Sequence, residues 1–159
     1  MSILVMGVGN TVMSDDGFGP AVVALLEERY QFEGDLRMVD GGTLGLDLLP
    51  MLEGIDRLMI VDALTMGKAP GTIVRLEGDE VPRAFASKLS IHQMGMQDLL
   101  SLAELMGHLP TELLVWGVEP QSIEMTMELT APVEQSIPQV IEGIIQDLEL
   151  WNVRVRKNI

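Results

Sequence analysis

The chain has 159 residues, enough for one compact domain, and 47% of them are hydrophobic although only 4% are aromatic. The formal net charge of −14 argues against nucleic acids and acidic lipid surfaces as partners, because negative phosphates would repel such a chain. There are no cysteines, which excludes disulfides, thiolate metal sites and a cysteine nucleophile, so that a bound metal would need carboxylate, imidazole, backbone or water ligands.

Hydrophobic periodicity divides the chain into alternating strands and helices. Short apolar runs bounded by Gly, Pro or Asp indicate buried strands, and apolar residues recurring every third or fourth position indicate helices. The predicted elements are strand 3–8, helix 17–30, strand 36–39, helix 44–52, strand 57–62, strand 73–76, helix 93–106, strand 113–118 and helix 133–150. Strand 73–76 follows its predecessor closely, which favours an antiparallel orientation. The basic tail, residues 154–157, is predicted to be frayed.

This order of elements predicts an α/β fold. Strands too apolar to have a wet face need helices on both sides, so we expect a twisted, mostly parallel sheet of about five strands inside a three-layer sandwich. No internal repeat or low-complexity linker interrupts the pattern, and residues 1–159 are therefore predicted to form a single domain. The first residues lack the charged leader of a signal peptide and no apolar run is of membrane-spanning length, which predicts a cytoplasmic location without membrane insertion.

Acidic residues and a histidine follow several of the predicted strands. Asp16 comes after the first strand, Asp40 after the second and Asp62 at the end of the third, while His92 precedes a helix and Glu119 follows the last strand. Ligands of such sheets bind beyond the carboxyl ends of the strands. Carboxylates gathered there repel one another unless a cation or a proton lies between them. We therefore predict a metal site with Asp16, Asp62 and His92 as ligands.

A site of this kind favours hydrolysis. Mixed carboxylate and imidazole ligation is compatible with zinc, nickel, iron or manganese, so the ligand set does not name the metal. Three protein ligands leave open positions for water or for a group of the substrate. A metal-activated water or a polarised carbonyl makes amide hydrolysis the natural reaction class.

Each of these residues also has an explanation without a ligand. Asp15 or Asp16 is well placed to begin the helix at residue 17 as its N-cap. Asp40 before Gly41 and Gly42 is typical of a turn. Asp62 could bond a neighbouring loop, and His92 could be an ordinary first-turn residue.

Two other binding motifs and a non-catalytic function are alternatives. Gly7-Val8-Gly9 after a strand suggests dinucleotide binding, but Val12 stands where the fingerprint needs a third glycine. A phosphoacceptor domain would explain Asp15, Asp16 and Asp62. It needs a lysine at the end of the last strand, where this chain has Glu119, and it leaves His92 without a role. A non-catalytic nickel-binding or docking module would use the same ligands without hydrolysis.

An ordered set of short motifs covers nearly the whole chain. They are Gly7-Val8-Gly9-Asn10, Asp15-Asp16-Gly17-Phe18-Gly19, Asp40-Gly41-Gly42-Thr43, Val61-Asp62-Ala63, Ala69-Pro70-Gly71-Thr72, His92-Gln93, Gly117-Val118-Glu119-Pro120 and Leu129-Thr130-Ala131-Pro132. Together they resemble the endopeptidases that mature the large subunit of nickel-iron hydrogenases.

The resemblance implies a monomeric, single-domain protease whose partner is a hydrogenase large-subunit precursor. Such enzymes remove a C-terminal extension after nickel has been inserted. The family's metal-facing positions fall on Asp16, Asp62 and His92, and Asp40 matches a further acid of the active-site cleft. The first acid is often Glu in relatives; the shorter Asp keeps the ligand type and is expected to alter the geometry. Nickel is expected to arrive with the precursor, and Asp16, Asp62 and Asp40 are the candidate catalytic acids.

Overall fold

The structure, a computed structural model, describes residues 1–86 and 91–158, including all of their side chains except those of residues 86 and 91–94. The strands are β1 Ile3–Val8, β2 Tyr30–Glu33, β3 Leu36–Gly42, β4 Arg57–Ala63, β5 Ile73–Glu77, β6 Glu112–Val118 and β7 Arg154–Lys157. The helices are α1 Phe18–Arg29, α2 Leu49–Leu52, α3 Glu80–Ala86, α4 Ile91–Leu105 and α5 Ala131–Leu150. Short 3-10 turns, Ser14–Gly17 and Gly45–Leu48, precede α1 and α2.

The central sheet has five strands in the order β3-β1-β4-β6-β5. Its pairings β1–β3, β1–β4 and β4–β6 are parallel, and only β5 runs antiparallel, on the outer edge of β6. The predicted α/β class and strand count are confirmed. The antiparallel orientation of β5 is also confirmed, although its partner is β6 and not the preceding strand.

Each face of the sheet carries its own hydrophobic core, because strand side chains alternate between the faces. Ile3 and Val5 of β1 point into a core with α1 and α5. Leu4 and Met6 point into a second core with α2, α3 and α4. The predicted three-layer sandwich is therefore the observed architecture. Within the described ranges, no helix is both long enough and apolar enough to span a membrane.

The prediction of a frayed basic tail was wrong. Residues 154–157 form β7, which pairs antiparallel with β2 in a separate two-stranded ribbon. Arg156 also contacts Glu33 at 2.9 Å between Nη2 and Oε1. These four residues are mostly cationic and carry little strand propensity as a segment, and they are ordered here because β2 supplies the hydrogen-bonding partner. The predicted helix also ends one residue early, at Arg29, since Tyr30 begins β2.

The edge strand β5 is fastened to α5 by a charged network. The buried carboxylate of Asp147 accepts hydrogen bonds from Arg75 Nε at 3.0 Å and Nη2 at 2.8 Å, and from Trp116 Nε1 at 2.8 Å. The hydrogen bond to Asp147 is the largest cause that raises the pKa of Arg75 above its usual value. The guanidinium of Arg75 therefore remains charged at neutral pH.

Helix α1 approaches the sheet unusually closely at its first turn. A Cβ at Gly19 would overlap the carbonyl oxygens of Val8 and Val61, so no larger residue fits between α1 and the strands β1 and β4. This close packing brings the turn that precedes α1, Ser14–Gly17, into contact with β4.

Candidate active site at the carboxyl edge of the sheet

The strand order creates a crevice at the carboxyl ends of β1 and β4. The chain leaves β1 through α1 to reach β3 on one side and then crosses to β4 on the other side. Ligands of open α/β sheets bind where the strand order reverses in this way. The turn after β1 carries Asp16, and Asp62 is the penultimate residue of β4.

Asp16 and Asp62 both lie against the turn formed by Gly9 and Asn10. The Asp16 carboxylate accepts a hydrogen bond from the Asn10 N–H at 3.0 Å through Oδ2. The carbonyl oxygen of Asp16 contacts the position that a Cβ of Gly9 would occupy, and Asp62 Oδ1 is 3.8 Å from that position. Asp62 is fully buried and Asp16 is 9% exposed. The structure thus places two of the predicted site residues, Asp16 and Asp62, beside one turn at the carboxyl edge of the sheet.

Asp40 does not join this pair. It lies at the end of β3 in register with Gly7 of β1, its side chain is exposed, and its Oδ1 accepts a hydrogen bond from the Gly42 N–H at 2.9 Å. The strand alternation places Asp40 on the α1 face of the sheet, whereas Asp62 follows Ile60 on the α4 face. This hydrogen bond to Gly42 is typical of a turn, which is the alternative role that Gly41 and Gly42 suggested for Asp40.

His92 lies in the first turn of α4, which begins at Ile91, two residues before the predicted start. Gly95, one turn later, packs on Gly45: a Cβ at Gly95 would be 3.1 Å from the Gly45 Cα. Because Gly45 follows β3, this contact places the start of α4 at the carboxyl edge of the sheet. The His92 side chain lies outside the described residues. Among the side chains that are described, no three His, Asp or Glu groups converge on a possible metal position.

Asp15 has a structural task that differs from that of its neighbour. It is fully buried, and its carboxylate accepts hydrogen bonds from the N–H groups of Gln121, Ser122 and Thr130 and from the Thr130 hydroxyl, at 2.7 to 3.1 Å. These bonds hold the loop between β6 and α5 against the 14–17 turn. Neither Asp15 nor Asp16 caps α1, whose N-cap is Gly17 without a side-chain hydrogen bond.

Glu119 fastens a second loop of the same edge. It is 5% exposed, and its Oε1 accepts hydrogen bonds from the N–H groups of Met66 at 2.8 Å and Lys68 at 3.0 Å. The carboxylate thus orders the loop between β4 and β5, where a phosphoacceptor domain would need a cation. Of the buried acids at this edge, Asp15 and Glu119 organise loops, and Asp16 and Asp62 lie beside the Gly9-Asn10 turn.

Replacement of Asp15 by Ala is expected to lower the free energy of unfolding by about 3 kcal/mol, because three N–H groups and one hydroxyl would lose their buried acceptor. Urea denaturation followed by circular dichroism measures this loss. Asp98→Ala, an exposed aspartate on α4, is the matched control and should change stability little. Equal stability of the two variants would contradict the assigned role of Asp15.

The fold and this site define a class: an α/β protein with a pair of acids at the switch point of its sheet. Comparison with known proteins narrows the class. The sequence profile of the HycI hydrogenase maturation protease family matches residues 20–147. The hydrogenase expression/formation protein HupD of Rhizobium leguminosarum bv. viciae is 41% identical over 96% of this chain and 77% of its own. The hydrogenase 2 maturation protease of Escherichia coli K12 is 40% identical over 93% of this chain and 91% of its own.

A solved structure agrees with these sequence matches. The hydrogenase maturating endopeptidase HybD from Escherichia coli superposes with a TM-score of 0.96 at 38% identity, covering 99% of this chain and 98% of the other. The chain belongs to the hydrogenase maturation protease family. Its enzymatic class is therefore that of a peptidase, as the resemblance of the sequence motifs had indicated.

Proposed function

We propose that this protein is an endopeptidase that removes the C-terminal extension of a nickel-iron hydrogenase large-subunit precursor after nickel insertion. The observation that carries the proposal is the position of Asp16 and Asp62 beside the same turn, Gly9-Asn10, at the switch point of the sheet. The family membership supports it, because the similar Escherichia coli proteins are a maturation protease and an endopeptidase. We expect the enzyme to act in the cytoplasm as a monomer.

The proposed metal ligands are Asp16, Asp62 and His92. Asp62 lies on the sheet face that α4 covers, and His92 belongs to the first turn of α4. Two carboxylates and one imidazole suit a borderline divalent cation such as nickel and leave positions open for groups of the substrate. The nickel is proposed to be part of the substrate, held by the precursor. Since this chain has no cysteine, none of its thiolates would compete for that nickel.

The hydrolytic step requires an activated water. The water oxygen bonds to the scissile carbonyl carbon, the C–N bond breaks, and the leaving amine takes up a proton. Either the metal activates the water or polarises the carbonyl, or an aspartate acts as general base, so the peptidase is metal-dependent or of the aspartic type. The candidate general bases are Asp16, Asp62 and Asp40. Asp16 and Asp62 lie beside the Gly9-Asn10 turn, whereas the exposed carboxylate of Asp40 lies on the other face of the sheet. Asp40→Asn is therefore expected to lower kcat less than Asp16→Asn or Asp62→Asn does.

The nickel dependence is tested with purified precursor in nickel-loaded and nickel-free forms. Mass spectrometry of the large subunit before and after incubation should show loss of the extension only from the nickel-loaded form. The physical reason is that the metal positions the scissile bond against Asp16 and Asp62. Cleavage of both forms at equal rates would refute nickel recognition. Tight binding of the loaded form without any cleavage would instead identify a docking module.

A further inference from the structure

Large apolar side chains are exposed on three loops at the carboxyl edge of the sheet. Met125 is 84% exposed and Met127 is 78% exposed, on the loop between β6 and α5. Ile123 precedes them, and Val12 and Met66 stand on the loops that follow β1 and β4. We call these five residues the methionine rim. Exposed apolar clusters of this kind mark surfaces that bind other molecules, and methionine suits contacts that must adapt.

The methionine rim is held in place by the chain around it. Thr126, between the two methionines, forms a bridge with Met13, and its carbonyl accepts a hydrogen bond from the Ser14 N–H at 2.8 Å. The Asp15 carboxylate holds both ends of the same loop. The N–H of Met66 is bound by Glu119 at 2.8 Å. A surface built on such contacts is ordered before a partner arrives, which lowers the entropy lost on binding.

The methionine rim is continuous with the proposed catalytic site. The 14–17 turn carries Asp16 on one side and pairs with the 122–126 segment on the other. A peptide whose scissile bond reaches Asp16 and Asp62 would therefore pass beside Met125 and Met127. The occupant that fits this position is the substrate chain itself.

The charges of the loop between β6 and α5 indicate which residues the bound substrate peptide should contain. Exposed Glu124 and Glu128 alternate with the apolar residues along the 123–128 segment. The whole chain carries a net charge of −14. A complementary polypeptide would present apolar side chains interspersed with lysine or arginine.

We propose that the methionine rim docks the segment of the precursor polypeptide adjoining the scissile bond, an apolar segment with basic residues. This rests on the proposed function and adds the surface that selects the substrate. The rim contributes binding energy to the protein substrate and takes no part in the chemical step. Its loss should therefore raise KM and leave kcat unchanged.

The test is the double variant Met125→Ser, Met127→Ser. Its dissociation constant for the nickel-loaded precursor and its KM should each rise about tenfold, because two apolar anchors are removed. The melting temperature should remain unchanged, since both side chains are exposed. The matched control is Leu105→Ser, Met106→Ser, at the end of α4 that leads to the opposite edge of the sheet, where both side chains are also exposed. The control should bind and cleave like the wild type.

An unchanged dissociation constant in the methionine variant would overturn the proposal. So would a wild-type dimer that this variant converts to monomers with the same KM, since the rim would then be a contact between copies of this chain. If the wild type binds the precursor without cleaving it, the proposed function fails. The comparison of dissociation constants still decides whether the rim docks the precursor.

Discussion

Asp62→Asn is expected to reduce kcat/KM for the nickel-loaded precursor by about a thousandfold, because the amide keeps the shape but not the charge that binds a cation. Asp62 is fully buried at the end of β4, so a substituent of equal size preserves the packing. The rate of cleavage is measured by mass spectrometry of the large subunit, and binding is measured in parallel. Asp16→Asn should cause a comparable loss, since the proposal gives both carboxylates the same task.

The control for this experiment is Asp79→Asn, an exposed aspartate on the turn between β5 and α3. It makes the same chemical change far from the crevice and should cleave like the wild type. All variants should have circular dichroism spectra and melting temperatures close to those of the parent. Full cleavage by a folded Asp62→Asn protein would remove Asp62 from the site.

Gly9→Ala is expected to abolish cleavage and to lower the free energy of unfolding by about 3 kcal/mol or more. Gly9 has a φ of +136°, which side chains rarely tolerate, and a Cβ there would overlap the carbonyl oxygen of Asp16. The same Cβ would stand 3.8 Å from Asp62 Oδ1. Relief of the overlap must displace the 14–17 turn, and this displacement separates the two acids. Cleavage assays and urea denaturation measure the two effects.

Gly34→Ala separates backbone strain from crowding. Gly34 has nearly the same φ, +132°, but apart from its chain neighbours no atom of the described residues lies within 4 Å of its Cβ position. This control should lose about 1 kcal/mol of stability from the conformational preference alone and retain activity. If Gly9→Ala and Gly34→Ala behaved alike, the close contact of Gly9 with Asp16 would not be what holds the site together.

Gly7 and Gly9 are required for packing and not for binding a nucleotide. Gly7-Val8-Gly9 after a strand suggested dinucleotide binding, which the missing third glycine argued against. In the fold these glycines serve packing. A Cβ at Gly7 would overlap the carbonyl oxygen of Gly19, and Gly9 makes room for Asp16. The spacing argued against the nucleotide motif, but it could not show which backbone or side chain each glycine contacts, because those contacts come from α1 and the 14–17 turn.

The site was predictable only in part. Placement of Asp16 and Asp62 at one edge followed from the rule that parallel strands end together, and the fold agrees with it. The same rule grouped Asp40 with them, yet the strand alternation places its carboxylate on the other face, exposed and bonded to Gly42. The rule locates the ends of strands and is silent about the direction of each side chain.

Local patterns in the sequence determined the α/β class, the strands β1, β4 and β6, and the edge where the chemistry lies, because burial on both faces leaves continuous apolar runs. Tertiary structure alone decided three further features. These are the pairing of β2 with β7, the exposure of Asp40, and the different contacts of Asp15, which bonds the loop between β6 and α5, and Asp16, which bonds Asn10. Asp15 bonds Thr130, 115 residues away, and β7 pairs with a strand more than a hundred residues earlier. Contacts between residues so far apart depend on the fold of the whole chain, and they cannot be predicted from the residues next to either partner.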